Sequence, residues 1–355
     1  MMRVTIAGGV GEHGRNCFLV ESRELSFLVD CGVMAGAAMP WPRLTDDQIR
    51  PLRYVFLTHS HADHAGALGW LAEHGFSGQI VASGATLLQL GELPAPALTL
   101  EDFPSGNGVA LYWGRAGHCA GSVWYSFALT DGLLFFSGDY MEESLIYNVD
   151  PVRDTVADLA VIDSAYGPEA RTPIAMRREF VEAVRPFAEA GQPVLFPVPR
   201  YGRGPEILYL LARRWPAAPL YGDEAFRRQL DALAADPCWV QPAARSFLRS
   251  VTVQPLPDAP PREGFAFVSD PRLEAPETEA LARQVAGQGG VLLTGAAEEG
   301  SPAAALLREG LARFARIPVH GTSREYLFLR RHNRFGRSLP YHSEAWPCRD
   351  RTILL

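Results

Sequence analysis

The segment Thr58-His59-Ser60-His61-Ala62-Asp63-His64-Ala65-Gly66 puts three imidazoles and a carboxylate into nine residues. Neutral imidazole and carboxylate are the donors that borderline cations such as zinc prefer. A two-residue step along extended backbone points both side chains the same way, so His59 and His61 can face one ion while Asp63 and His64 turn toward a second position. A solvated histidine-rich loop would lack the context found here, where the apolar run Arg53–Leu57 precedes the cluster and small residues follow it.

The elements that must position them change character along the chain. Up to about Gly167, short β-branched or aromatic runs alternate with glycine turns: Val4–Ala7, Cys17–Val20, Ser26–Val29, Val123–Leu129 and Leu133–Phe136. Helical stretches are fewer, the clearest being Asp63–Glu73 and Gly84–Gly91. This pattern predicts two packed β-sheets with helices outside. After Pro173, helical periodicity over Ile174–Ala190, an apolar strand Val194–Val198, a helix Pro205–Trp215 and the alternating segments Ala280–Val285, Val291–Thr294 and Ala303–Leu311 predict βα units around a mainly parallel sheet. The proline-rich Gln254–Pro261 reads as a surface loop. Trp124, Tyr125 and Phe127 alternate as a strand does and read as core.

These motifs resemble the metallo-β-lactamase superfamily, whose signature is His-x-His-x-Asp-His after a strand, with Asp30, His118 and Asp139 at the positions of its first, third and fourth motifs. The later chain resembles the β-CASP branch, in which a second α/β domain is inserted before the last elements of the first. Leu159–Gly167 around Asp163 is similar to that branch's motif A, Gly202-Arg203-Gly204-Pro205-Glu206 to its Gly-Arg-x-x-Glu segment, and Leu292–Gly295 with Glu299–Ser301 to its Thr-Gly…Glu-Gly-Thr segment. His320-Gly321-Thr322-Ser323-Arg324-Glu325 and Tyr341-His342-Ser343-Glu344 resemble motifs B and C, 22 residues apart. The opening Gly8–Asn16 is similar to the start of ribonuclease J, and Gly138-Asp139-Tyr140 to cleavage and polyadenylation endonucleases. The implied architecture is an α/β fold: an αββα sandwich formed by residues 1–167 and 319–355, with a β-CASP domain at 168–318 roofing the site.

The resemblance also implies chemistry. His59, His61 and His118 would hold one divalent metal, Asp63, His64 and His342 another, with Asp139 bridging and Asp30 supporting the loop. The metals are expected to be zinc, with manganese as the alternative, and a metal-bridged hydroxide would attack the phosphodiester. His320, held by Asp163, is the candidate general acid, and Arg203, Thr322 and Ser323 are candidate phosphate contacts. A histidine at motif C goes with RNA-cleaving members, so single-stranded RNA is the expected partner, with DNA as the alternative. A small-molecule metallo-hydrolase and a non-catalytic RNA-processing subunit are the other readings. Three departures bear on substrate and oligomeric state: aspartate rather than glutamate at motif A, Val319-His320-Gly321 at motif B, and an end soon after motif C.

Composition sets the outer bounds. A chain of 355 residues with 47% hydrophobic content suggests two domains with substantial cores. No apolar run spans a membrane and no signal peptide opens the chain, so a cytoplasmic protein without a membrane partner is expected. Five scattered cysteines without a CxxC pair argue against a disulfide framework or a cysteine zinc knuckle. Cys119 beside His118 reads as packed. The net charge of −7 argues weakly against nucleic-acid binding, but every basic residue is arginine, and arginines gather at Arg200 and Arg203 and again from Arg324 to Arg337. His13, His74 and His332 have no motif around them and read as surface or packing residues. Homo-oligomerisation stays open.

Overall fold

Alternating apolar residues in the N-terminal strands give each one a face to bury, and the computed structural model, which describes every residue except Ser105 and Asn107, pairs them into two sheets. The first has seven strands in the order Thr352–Leu354, Arg3–Gly8, Cys17–Glu21, Ser26–Val29, Leu52–Phe56, Gln79–Ala82 and Ala97–Thr99. The second has five, in the order Arg334–Tyr341, Val156–Asp163, Gly132–Phe136, Val123–Leu129 and Val109–Arg115. Aromatic rings fill the space between them: Phe27 meets Phe127 at 5.0 Å between ring centres, Phe56 meets Phe127 at 5.0 Å, and Phe18 meets Phe136 at 5.6 Å. Tyr125 and Phe127 are fully buried there, as their alternation implies.

Helices cover the outer faces. Leu68 and Leu71 of the helix Leu68–Glu73 pack on the first sheet with Leu28, Val55 and Ile80. Leu329 of the helix Ser323–His332 packs on the second with Ala160, Ile162 and Phe135. The helix expected over Asp63–Glu73 is in fact two, Ala62–Ala65 and Leu68–Glu73. They part because the Ala67 amide donates to the Cys31 carbonyl at 2.9 Å rather than continuing the turn.

The chain divides into two compact units, one of residues 1–142, 149–170 and 320–355, the other of 143–148 and 171–319. The six residues Glu143–Asn148, read from sequence with the first domain, therefore cluster with the second unit. Their hold is Glu206, a buried carboxylate that accepts from the Leu145 and Ile146 amides and the Ser144 hydroxyl. The second unit is built on a six-stranded parallel sheet in the order Gln254–Pro255, Leu220–Gly222, Gly264–Val268, Pro193–Pro197, Gly290–Leu293, Arg313–Phe314. The helices Pro173–Glu189, Arg203–Arg214, Pro276–Ala286 and Pro302–Arg308 connect it. Gln254–Pro255 joins the sheet edge, so the proline-rich stretch is not wholly loop. Among the described residues no helix is long and apolar enough to cross a membrane.

Candidate metal centre

Parallel pairing of Ser26–Val29 with Leu52–Phe56 brings Asp30 and Thr58 to the same strand end. Asp30 takes a left-handed backbone, φ +59°, a region that aspartate and asparagine tolerate better than most side chains. Its carboxylate accepts from the Thr58 amide at 2.7 Å and from Thr58 Oγ1, and lies 2.8 Å from His64 Nδ1. That last contact fixes the His64 ring and turns Nε2 inward, as a hydrogen-bonded partner does for a ligating histidine. Gly138 precedes Asp139 at φ +54°, and a Cβ there would stand 2.7 Å from the Val123 carbonyl, so only glycine lets Asp139 enter the site on this path.

The donors converge. His61 Nδ1 lies 3.1 Å from His59 Nε2 and 3.2 Å from His118 Nε2. Asp139 Oδ2 stands 3.6 Å from His59 Nε2 and 3.5 Å from His118 Nε2. On the other side, Asp63 Oδ2 lies 2.9 Å from His342 Nε2 and 3.6 Å from His64 Nε2. Asp139 Oδ1 stands 3.2 Å from His64 Nε2 and 3.1 Å from His342 Nδ1. Each oxygen of Asp139 thus faces a different set of imidazoles. Donors about 2.1 Å from a common tetrahedral centre are separated by roughly 3.4 Å; His59, His61, His118 and Asp139 meet that spacing around one point and Asp63, His64 and His342 gather around a second, while Asp139 Oδ1 meets His342 at Nδ1 rather than at the Nε2 that faces Asp63. His59, His64, His118, Asp139 and His342 are all buried.

The protons lie where those contacts put them. Burial alone would raise the Asp139 and Asp63 carboxyls, but His64 and His342 beside them hold both well below the usual carboxylate range. Burial works against a proton on His64 and is outweighed by Asp139, Asp30 and Asp63, leaving it raised. His342 is pushed up to about 10, against burial, by Asp139 and Asp63. His59 goes the other way, lowered by burial and by His64. Positive charge in this pocket is therefore stabilised by carboxylates that a divalent cation would share.

His320 and Asp163 stand next to this cluster. His320 Nδ1 lies 2.8 Å from Asp163 Oδ2 and 3.8 Å from Asp139 Oδ2, and its ring centre is 4.7 Å from that of His118. Asp163 also accepts the Tyr140 and Ala165 amides, both at 3.0 Å, so its carboxylate is locked. The two C-terminal histidines thus reach the N-terminal cluster, their own ring centres 5.4 Å apart.

Other expected residues have different surroundings. Thr322 is buried and caps the helix Ser323–His332, its amide and hydroxyl bonded to Glu325 in a capping box. The Ser323 amide donates to the Glu169 carbonyl at 2.8 Å. Arg203 opens the helix Arg203–Arg214 in the second unit, where its guanidinium packs on Gly295; a Cβ there would stand 2.1 Å from Nη1. Cys119 is buried, and burial pushes its thiol well up.

Three residues at the centre escaped the sequence reading. His13 stacks on His342 at 4.5 Å, with Nδ1 2.8 Å from the His342 carbonyl. Tyr341 donates from its hydroxyl to Asp139 Oδ1 at 3.1 Å. Asn16, fully buried, donates from Nδ2 to Asp63 at 3.3 Å and lies 2.9 Å from His64 Nε2. For Tyr341 the available signal was its place beside His342; for His13 and Asn16 it was the glycine-rich opening segment.

Comparison with known proteins agrees with this geometry. Residues 10–164 match the metallo-β-lactamase superfamily. The chain is 30% identical over 252 residues to transcription termination factor FttA of Cenarchaeum symbiosum, covering 59% of this chain and 38% of that protein. It is 29% identical over 252 residues to ribonuclease TTHA0252 of Thermus thermophilus, covering 62% and 58%. It therefore spans less than two thirds of these relatives' length. A protein of unknown function from Enterococcus faecalis V583 shares the fold along the whole of both chains, with a TM-score of 0.60 at 11% identity. The family match covers the very loop that carries His59, His61, Asp63 and His64, and a second α/β unit intervenes before His320: residues 10–164 form a metallo-β-lactamase domain, in an arrangement consistent with the β-CASP branch of that superfamily.

Proposed function

We propose that this protein is a metal-dependent nuclease that hydrolyses phosphodiester bonds in single-stranded RNA. The observation that carries the reading is Asp139, whose two carboxylate oxygens face separate sets of buried imidazoles while His320, locked to Asp163, stands beside them. Similarity to a protein named as a ribonuclease supports the substrate class.

His59, His61 and His118 would hold one divalent cation and Asp63, His64 and His342 the other, with Asp139 shared. Zinc is the first choice and manganese the second, because both accept nitrogen and oxygen donors. Such a pair, when bound, supplies a nucleophile at neutral pH and positive charge beside the phosphoryl oxygens. Asp30 holds His64 with Nε2 inward. Asp163 accepts from His320 Nδ1, which leaves Nε2 as the atom that can give a proton to the departing ribose oxygen. Two backbone amides also hold Asp163, which fixes the direction in which its carboxylate meets the His320 ring.

The test is incubation of zinc- or manganese-loaded protein with end-labelled single-stranded RNA and a DNA of matched sequence. RNA cleavage that chelator abolishes and metal restores is the expected result. Cleavage of DNA alone would move the assignment to a DNA nuclease, and cleavage of neither by metal-replete protein would overturn it.

A further inference from the structure

The C-terminal return is the basic part of an acidic chain. From His320 to Leu355 it carries seven arginines and three acidic residues, whereas the whole chain has a net charge of −7. Most arginines elsewhere in the first unit are engaged with carboxylates: Arg15 and Arg43 with Glu12, Arg50 with Asp46 and Asp47, Arg115 with Asp150, Arg153 with Glu142. Arg324, Arg330, Arg331 and Arg334 are exposed and have no carboxylate partner among the described residues. Glu325 Oε2 is taken by the Thr322 cap, and the carboxylate pairs with none of them among the described residues.

Helical spacing organises this charge. In Ser323–His332 the buried Leu329 faces the sheet, while Arg324, Leu327, Phe328 and Arg331, three or four residues apart, share the opposite face. Arg330 flanks the same face three residues after Leu327, and Arg153 extends it by lying 4.7 Å over the Phe328 ring. Leu327 and Phe328 are 45% and 38% exposed, so apolar surface is interleaved with guanidinium. Arg324 and Arg331 are about 10 Å apart along the axis. The helix starts three residues after His320, so the stripe begins at the candidate general acid and leads away from it.

Unpaired arginines with interleaved apolar side chains suit a polyanion that also offers flat apolar faces, and arginine is the cation best shaped for phosphate. We propose that the outer face of the helix Ser323–His332 is a docking track for the backbone of a single-stranded RNA running to or from the metal centre. The proposal deepens the nuclease reading and rests on it for the identity of the strand.

The test is a salt titration of binding. Full-length protein in chelator, so that nothing is cut, is mixed with a fluorescent 12-nucleotide single-stranded RNA, and wild type is compared with R324Q/R330Q/R331Q. For single strands each phosphate contact contributes about 0.7 to the slope of log K against log salt, so the triple variant should lose about 2 units of slope. That makes it on the order of 100-fold weaker at 0.1 M than wild type, with the two converging near 1 M. Hydrolysis of bis(p-nitrophenyl) phosphate by the manganese-loaded protein should be unchanged, since that substrate needs no track. Equal slopes for variant and wild type would overturn the track, as would equal weakening on anionic vesicles with no RNA preference. Failure of the wild type to bind RNA while it hydrolyses the small diester would overturn the track and the RNA assignment but leave the diesterase chemistry. Loss of the small-diester activity in wild type would instead remove the nuclease reading.

Discussion

Asp30→Asn isolates the proton that the metal centre depends on. The amide is isosteric, tolerates φ +59°, and can keep the 2.7 Å acceptor contact to the Thr58 amide. Its other arm then presents NH2 to His64 Nδ1, across 2.8 Å. Two donors cannot face each other, so His64 must carry its proton on Nε2, which points at Asp139 Oδ1 and at the cation position. A second effect opposes this: removing the Asp30 charge withdraws one of the three carboxylates that hold a proton on His64, easing its displacement. Asp139 and Asp63 continue to do that, whereas the tautomer change takes away the ligating lone pair itself, so the loss should dominate. Disturbing such a support costs about 10- to 100-fold in metal affinity, or about 1.4 to 2.7 kcal/mol. Competition with a chromophoric zinc chelator measures the affinity, and nitrogen chemical shifts of labelled histidine identify the tautomer. Wild-type affinity within twofold, with His64 still protonated at Nδ1 alone, would refute the reasoning.

Other expectations follow from the same contacts. His342→Ala should lower metal occupancy together with rate, whereas His320→Ala should keep both metals by elemental analysis and lose about 10²- to 10⁴-fold in turnover. Glu206→Ala strands the Leu145 and Ile146 amides and should destabilise by about 2 to 6 kcal/mol, since each buried orphan costs about 1–3; faster hydrogen exchange at those amides and a lower urea midpoint are the readouts, and a change under 0.5 kcal/mol would contradict it. Burial would raise the Glu12 carboxyl, but hydrogen bonds and charge from Arg15 and Arg43 bring it down to about 2 from 4.5. A depressed acid stabilises the fold above its unfolded value, so on the order of 3 kcal/mol should be present above pH 4.5 and disappear between pH 4.5 and 2. Urea unfolding across that range should show a shallower acid loss in Glu12→Gln, and equal slopes would refute it.

The ligand loop was legible because its chemistry is local: spacing, strand and turn all lie within Arg53–Gly66. Strands with β-branched alternation, such as Val123–Leu129, were read with the bounds the structure gives. Arg334–Tyr341 was not read, because an edge strand bearing two arginines, a glycine and a proline has no propensity signal and owes its form to Val156–Asp163 alongside. The helix Ser323–His332 has too few apolar residues for periodicity to mark it, although Thr322-x-x-Glu325 is a capping box that announces its start and a capping role for Thr322. His13 could not be found locally, since its contact with His342 depends on Val10 pairing with Ser343. Nor does residue type show that Glu206, part of a motif, fastens the segment 143–148 to the second unit.

The register of Val156–Asp163 with Arg334–Tyr341 also dictates when the centre can exist. These strands pair in parallel across a separation of 178 residues, with Asp163 opposite Tyr341, so His342 is delivered only when that pairing closes. Contacts so distant along the chain form late, because the entropy of closing the loop must be met before they return any energy. On the ribosome, His59, His61, His64 and His118 emerge well before His320 and His342, so the full donor set gathers only once Arg334–Tyr341 has been made and paired with Val156–Asp163.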